Sequence, residues 1–320
     1  MKTIRVMVPT YNEEDNVEAM ADAIREEFKK NLPNYKYQIM FVDNKSKDKT
    51  REIIRKLCAE DHNIRAIFNA QNFGQFNSPY YGMIENEECA ATVTICADFQ
   101  EPVEMIHKFV SEWEKGYKVV VGVKSKSKEH GLIKLFRKIY YKLSKRWSSV
   151  QFIEQYTGFG LYDISFTRLL KQIDDPIPFI RGIVVEYASE IKTIEYTQQK
   201  RRAGKSSNNF WSLYDGAMWS FTTYTNILPR MAGVLGAIFS FLTFIATITL
   251  IVLGFVLPNF GFFWTGIAIL SFFSSLNLFF IGMIGEYILT INKRVKHRPL
   301  VIEEERINFE YKAEDYDSLF

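Results

Sequence analysis

Four short polar clusters carry the residue types that bind cations and polar ligands. They are Pro9-Thr10-Tyr11-Asn12-Glu13, Asp43-Asn44-Lys45-Ser46-Lys47-Asp48, Asn72-Phe73-Gly74-Gln75 and Asp98-Phe99-Gln100-Glu101-Pro102. Carboxylates in such a setting can hold a hard divalent cation. Each cluster taken alone also reads as turn chemistry, and Ser46 or Asp48 could simply cap the helix that follows. Four such clusters at the ends of successive apolar runs are harder to assign to turns.

The elements that must position them alternate. Short β-rich runs at Ile4–Val8, Tyr37–Val42, Ile64–Phe68, Ala91–Cys96 and Lys118–Val123 are separated by segments with helical periodicity, such as Val17, Met20, Ala21, Ile24 and Phe28. This order predicts an α/β domain with a mainly parallel sheet and helices on both faces. Ligands of such sheets bind beyond the carboxyl ends of the strands, where all four clusters fall. No G-x-G-x-x-G follows the first strand and no G-x-x-x-x-G-K-[ST] occurs, which disfavours a dinucleotide-binding enzyme. The G-x-G at Gly158-Phe159-Gly160 lies far downstream.

The remainder of the chain has a different composition. From Met231 through Gly285 there is no Asp, Glu, Lys, Arg or His. Ala232–Leu257 and Phe260–Gly285 flank the turn signal Pro258-Asn259, and each would span roughly 39 Å as a helix, enough for a hydrocarbon core of ~30 Å. Two membrane-crossing helices are therefore expected. Arg230 precedes the first, and Lys293, Arg294, Lys296, His297 and Arg298 follow the second, so both termini are predicted to be cytoplasmic. Leu132–Trp147 sets Leu132, Leu135, Phe136, Ile139, Leu143 and Trp147 on one helical face and cations on the other, which suits an anionic membrane surface as well as an ordinary domain surface. Phe210–Leu228 repeats the pattern with fewer charges. The expected organisation is a cytoplasmic catalytic domain over 1–208 that includes helix 132–147, an interfacial elbow over 209–231, two transmembrane helices over 232–290, and a cytoplasmic tail over 291–320.

A net charge of +3 is too small to argue for nucleic acid. Three cysteines without C-x-x-C spacing read as reduced thiols, not as a zinc site or disulfide framework. The opening MKTIRVMVPTYNEED lacks the features of a signal peptide. The composition also excludes a disordered or collagen-like chain.

V-P-T-Y-N-E (Val8–Glu13), V-D-N-x-S-x-D-x-T (Val42–Thr50), N-F-G-Q (Asn72–Gln75) and A-D-F-Q-E-P (Ala97–Pro102) resemble the nucleotide-sugar signatures of family 2 glycosyltransferases of the GT-A fold. G-F-G-L-Y-D (Gly158–Asp163), R-x-x-G-x-S (Arg201, Gly204, Ser206) and the terminal apolar pair resemble the polyprenyl-phosphate branch, which includes dolichol-phosphate mannose synthases and bactoprenol glucosyltransferases. The resemblance runs from Ile4 to about Arg298. It implies that Pro9, Tyr11, Asn12, Glu13, Asp43, Asn44, Ser46, Gln75, Ala97 and Asp98 bind a UDP- or GDP-linked sugar. It implies a Mg²⁺ or Mn²⁺ ion on Asp98, aided by Gln100, and catalytic roles for Asp98 and Arg201. The acceptor would be polyprenyl phosphate, undecaprenyl phosphate in a bacterial envelope, held by Arg201 and Ser206. Lys124 and Arg137, between the fifth strand and the basic helix, are further candidates for its phosphate. Inversion at the sugar, an inner-membrane location and a homotetramer are also implied.

Two positions depart from the family pattern. Cys96-Ala97-Asp98 stands where D-x-D is usual, and a thiol is a poor ligand for a hard cation. Asp43-Asn44 stands where two acids are usual. Two other readings compete with the lipid enzyme. A processive polysaccharide synthase would usually carry Q-x-x-R-W, but Leu143 stands where the Gln before Arg146-Trp147 would be. A catalytically inactive sugar-nucleotide sensor or scaffold has only Cys96 in its favour.

Overall fold

The computed structural model describes residues 1–85, 89–125, 150–173, 175–176, 178–204, 262–296 and 298–309, with short stretches between 218 and 256. The expected helix 132–147, most of the elbow 209–231, and with them Arg137 and Ser206, lie outside the described residues. The chain divides into two compact units, one of residues 1–141, 150–208 and 297–320, the other of 142–149 and 209–296.

The first unit is built on an eight-stranded sheet in the order β7-β5-β6-β4-β1-β2-β3-β8. The strands are β1 (Thr3–Thr10), β2 (Lys36–Asp43), β3 (Ile64–Asn69), β4 (Ala91–Thr94), β5 (Val119–Lys124), β6 (Tyr156–Asp163), β7 (Ile191–Tyr196) and β8 (Glu303–Ile307). The helices are α1 (Val17–Asn31), α2 (Thr50–Glu60), α3 (Gly74–Ile84), α4 (Met105–Glu114), α5 (Ile164–Ile173) and α6 (Ile180–Tyr187). Strand alternation divides the core. Ile4, Val6, Val8, Ile39 and Phe41 pack with α1, α2 and α4 on one face. Met7, Met40 and Val42 pack with α3, α5 and α6 on the other. Both faces are covered, which is why the central strands read as continuous apolar runs instead of alternating ones. Each fully buried Ile, Val or Phe contributes roughly 1.5–3 kcal/mol, so this two-sided core fixes the strand ends against each other.

The parallel ladders β3-β2-β1-β4 and β5-β7 match the expected architecture. Two antiparallel strands interrupt it. β6 pairs antiparallel with both β4 and β5. It contains Gly160, where a Cβ would stand 2.5 Å from the Val120 carbonyl oxygen, so only glycine allows that approach. β8 lies antiparallel along β3. Within the expected tail 291–320, Glu303–Ile307 therefore contributes the edge of the sheet. A bare β3 edge would expose unpaired backbone groups, and β8 covers them. Its acidic side chains fit the surface it meets: Glu304 lies 2.8 Å from both Lys45 and Arg51, and Glu305 lies 2.6 Å from Arg55.

In the second unit, α7 (Phe262–Val295) runs for 34 residues, about 51 Å at 1.5 Å per residue. Its stretch Phe272–Asn292 is long and apolar enough to cross a membrane, and none of that stretch is buried. Among the described residues it is the one helix that meets this test. The expected second crossing thus continues beyond Gly285 as one helix. The expected first crossing is described only at isolated positions from Val234 to Val256, all of them helical.

Candidate active site

The loops after β1, β2 and β4 converge at the carboxyl edge of the sheet. Each turns through a non-glycine residue with positive φ: Asn12 (56°), Lys45 (66°) and Phe99 (60°). Such backbone is costly and persists where surrounding bonds hold it. Here five bonds join the first two loops. Asn12 N–H donates to Ser46 Oγ (2.8 Å), Lys47 N–H to Asn12 Oδ1 (2.8 Å) and Glu13 N–H to Thr50 Oγ1 (2.8 Å). Lys49 N–H donates to Glu14 Oε2 (2.9 Å) and Glu14 N–H to Asp48 Oδ2 (3.2 Å). Asn12 and Ser46, expected on the substrate, thus use their side chains to fasten one loop to the other. Asp48 accepts the Thr50 N–H in a turn just before α2, whose N-cap position is Lys49 and makes no side-chain cap bond, so neither Ser46 nor Asp48 is the cap. Asp43 is fully buried; one oxygen accepts from Ser46 N–H and Arg51 Nε, and its Oδ1 has no partner within the protein among the described residues.

Asn44 accounts for the Asp43-Asn44 departure. Its amide donates to Asn72 Oδ1 (2.9 Å) and to the Gly74 carbonyl (3.1 Å). Its oxygen accepts from Asn69 Nδ2 (3.2 Å) and Phe73 N–H (2.9 Å). All four bonding positions of the side chain are in use, and they hold the loop that carries Gln75. An aspartate here would lose both donors and turn an acceptor toward two acceptors, at about 1–3 kcal/mol for each buried group left unsatisfied. Asn44→Asp is therefore expected to raise the donor KM about tenfold, lower thermal stability and affect kcat less. Steady-state kinetics and melting of the variant check this, and unchanged values in both would remove Asn44 from loop positioning.

A cavity of about 320 Å³ opens beyond these strand ends. Of the predicted donor-site residues, Pro9, Tyr11, Glu13, Asn44, Gln75, Ala97 and Asp98 line it, and Arg201 joins them. Asn12, Asp43, Ser46, Gln100 and Lys124 are not among its lining. The Gln100 backbone braces the loop, its N–H donating to Asp98 Oδ1 (3.1 Å) and its carbonyl accepting Gln199 N–H (3.1 Å). Lys124 sits at the end of β5, its N–H on the Gln155 carbonyl.

The centre of the polar wall is Arg201. Its guanidinium lies 3.1 Å from Glu13 Oε1 and 3.0 Å from Asp98 Oδ2. Both carboxylates are largely buried, with side-chain exposures of 11% and 8%. Burial pushes the Glu13 carboxyl above its ordinary range, with Asp98 adding to the rise, while bonds from Asn16 and Arg201 hold it down. Glu101 also lines the cavity, accepting Cys96 N–H (2.9 Å) and the Thr157 hydroxyl (3.2 Å). Cys96 reaches the cavity, yet the protein around it and the neighbouring Glu101 and Asp98 raise its thiol well above the usual range, so it stays protonated. Three carboxylates thus share the site with one bridging guanidinium. Among the described residues no three His, Cys, Asp or Glu side chains form a metal-holding group.

Burial pushes Glu101 up to about 7, against the bond from Cys96 N–H. A carboxyl raised above its unfolded value of 4.5 stabilises the fold fully below pH 4.5, and that stability is lost as pH rises toward 7. Glu101→Gln keeps a neutral side chain throughout. The variant is therefore expected to gain melting temperature on the wild type as pH goes from 5 to 8 in EDTA. A constant offset between the two melting curves would show that Glu101 is ionised over this whole range.

Arg181 was not legible as a site residue. It lines the cavity from the start of α6, with Pro178 and Ile180 beside it. No motif marks it, because α6 reaches the strand ends only through the tertiary fold. Thr157 and Gly158 reach the cavity through β6, a strand absent from the runs that the sequence predicts.

The sequence model described as "Glycosyl transferase family 2" matches residues 5–172. A Bacillus subtilis protein named uncharacterized glycosyltransferase YkcC is 28% identical over 309 residues, covering 96% of this chain and 95% of that protein. The bactoprenol glucosyl transferase of Shigella phage SfV is 28% identical over 304 residues, covering 93% of this chain and 97% of that protein. Among solved structures, glucosyl-3-phosphoglycerate synthase from Mycobacterium tuberculosis, crystallised with Mn²⁺, UDP-glucose and glycerol 3-phosphate, superposes with a TM-score of 0.47 at 16% identity, over 69% of this chain and 78% of that one.

Proposed function

Since this chain belongs to glycosyl transferase family 2 and is a glycosyltransferase that uses a nucleotide sugar, we propose that it moves one sugar to a polyprenyl phosphate at a membrane. The observation that carries the lipid acceptor is α7. Leu270, Leu278, Phe279 and Ile281 on it are between 62% and 71% exposed, so the chain that holds the cavity also holds a long apolar surface in need of a non-aqueous environment. The likeness to the bactoprenol glucosyl transferase supports the same acceptor. An isoprenoid chain resists leaving a bilayer by ~0.8 kcal/mol per exposed CH₂, so the enzyme must meet it there. α7 and the uncharged segment before it serve as a two-span anchor, with the catalytic unit on the cytoplasmic side.

A phosphate monoester has its second pKa near 6 and is largely dianionic at pH 7. It needs no strong base before attacking. A single displacement forms the bond from its oxygen to the anomeric carbon as the bond to the nucleoside diphosphate breaks, with inversion at that carbon. The leaving electron pair settles on the diphosphate, whose growing charge must be met. Arg201, fixed on two buried carboxylates, presents a guanidinium already oriented, at no reorganisation cost during the reaction. Asp43 Oδ1, a buried acceptor without a protein partner among the described residues, adjoins the lining residue Asn44 and would suit an N–H or hydroxyl of a nucleoside reaching past the cavity wall.

The donor chemistry fits a divalent cation, Mg²⁺ or Mn²⁺, because among the described residues three carboxylates, Glu13, Asp98 and Glu101, line the cavity with two cations. Asp98 is the carboxylate that would hold it, aided by the side-chain oxygen of Gln100, whereas the protonated Cys96 would not. Such an ion would neutralise diphosphate charge. The test is incubation of membranes containing the protein with undecaprenyl phosphate and a panel of UDP- and GDP-sugars, with and without EDTA. Sugar should enter the organic extract as one residue per lipid. Label confined to water-soluble product, or a growing polymer, would overturn the reading.

A further inference from the structure

The geometry points to Arg181 as the subsite for the acceptor's phosphate, with Phe76, which lines the same cavity, taking the adjoining carbons of the lipid chain. This assignment rests on the lipid-phosphate reading above. Among the described residues, the cavity has two arginines on its wall. Arg201 is held by two carboxylates, at 3.1 and 3.0 Å. Arg181 makes no ion pair among the described residues; its guanidinium lies over the ring of Phe179, 5.0 Å from the centroid. A guanidinium on an aromatic face is steadied through its face and keeps its in-plane N–H donors for a ligand. Those donors form the planar fork that matches a phosphate with two parallel bonds. An unneutralised cation in a cavity otherwise rich in carboxylates therefore marks where an anion settles.

The surroundings narrow the anion's class. Phe179 is only 6% exposed, and its ring lies 5.9 Å from that of Phe76 and 6.1 Å from that of Phe152. A free phosphate needs the cation alone. A phosphate joined to a hydrocarbon uses both the cation and the Phe76 ring that Phe179 backs, and Phe76 and Arg181 both line the cavity that contains Asp98 and Arg201.

The test uses the full-length protein in lipid nanodiscs with the sugar nucleotide that the wild type accepts. Acceptor KM is measured with undecaprenyl phosphate and with geranyl phosphate, alongside donor Kd and inhibition by inorganic phosphate. Arg181→Gln should raise both acceptor KM values and the phosphate inhibition constant at least about tenfold, the loss expected for a charge-assisted bond. Donor Kd should stay within about twofold, which also shows that the variant is folded. Arg181→Lys should recover part of the loss. Phe76→Ala should raise KM for both lipids and leave phosphate inhibition unchanged, which separates the hydrocarbon from the phosphate. Unchanged acceptor KM and phosphate inhibition in Arg181→Gln would overturn the assignment. Loss of donor affinity in both the Gln and Lys variants would move Arg181 to the donor's diphosphate and equally defeat it. Failure of the wild type to use any lipid phosphate would instead remove the underlying reading, and this subsite with it.

Discussion

Asp98→Asn is expected to lower turnover at least ~10²-fold, the loss typical of removing a key electrostatic group, while the fold and membrane association persist. Asparagine has the same shape, and its oxygen can still accept the Gln100 N–H that Asp98 Oδ1 now takes at 3.1 Å. What disappears is the charge 3.0 Å from Arg201, and with it the carboxylate proposed to hold a divalent cation. Cys96→Ser is the informative comparison. The Cys96 thiol faces the cavity, and the protein packed around it with two acidic neighbours keeps it protonated, so a hydroxyl replaces it without changing charge, and substantial activity should remain. Initial rates at saturating donor, circular dichroism and membrane sedimentation on the three proteins decide the matter. Full activity in Asp98→Asn would take this carboxylate out of the chemistry. Equal loss in Cys96→Ser would give the thiol a share in it.

The parallel half of the sheet was legible because its strands are buried on both faces and so appear as unbroken apolar runs between amphipathic helices. β6 and β8 were not. β6 begins among polar residues and contains two glycines, and only the tertiary fold shows that Gly160 lets its backbone approach β5. β8 reads as a charge run, Glu303-Glu304-Glu305-Arg306, and becomes a strand because β3 needs an edge and Lys45, Arg51 and Arg55 need partners. The site divides in the same way. Residue type and position at a strand end located Glu13, Asn44, Gln75 and Asp98 around the cavity. They could not tell which polar side chains face a ligand and which are consumed by the loops. Asn12, Ser46 and Asn44 carry signature residues whose bonding groups are turned to the protein. Arg181 has no signature and reaches the cavity through a helix more than 80 residues after Asp98.

Arg201→Gln should produce a comparable loss of turnover and, unlike Asp98→Asn, a pH-dependent loss of stability. The substitution leaves Glu13 and Asp98 in one cavity without their shared cation. Breaking a buried pair by removing one partner costs ~3–5 kcal/mol, and Arg201, being 26% exposed, belongs at or below the low end of that range. Two unpaired carboxylates that close cannot both ionise cheaply. Glu13, already raised by burial, is the one that takes the proton. A carboxyl raised further stabilises at low pH and loses that stability as pH climbs through its new value, so the variant should melt closer to the wild type at pH 5 than at pH 8. Adding Glu13→Gln removes the repulsion, and the double variant should regain most of the melting temperature. It should remain ~10²-fold slower than Glu13→Gln alone, because no guanidinium meets the charge growing on the leaving diphosphate. Turnover and melting on the two single variants and the double one separate the two roles of Arg201. A double variant as active as Glu13→Gln would confine Arg201 to holding the cavity's wall together.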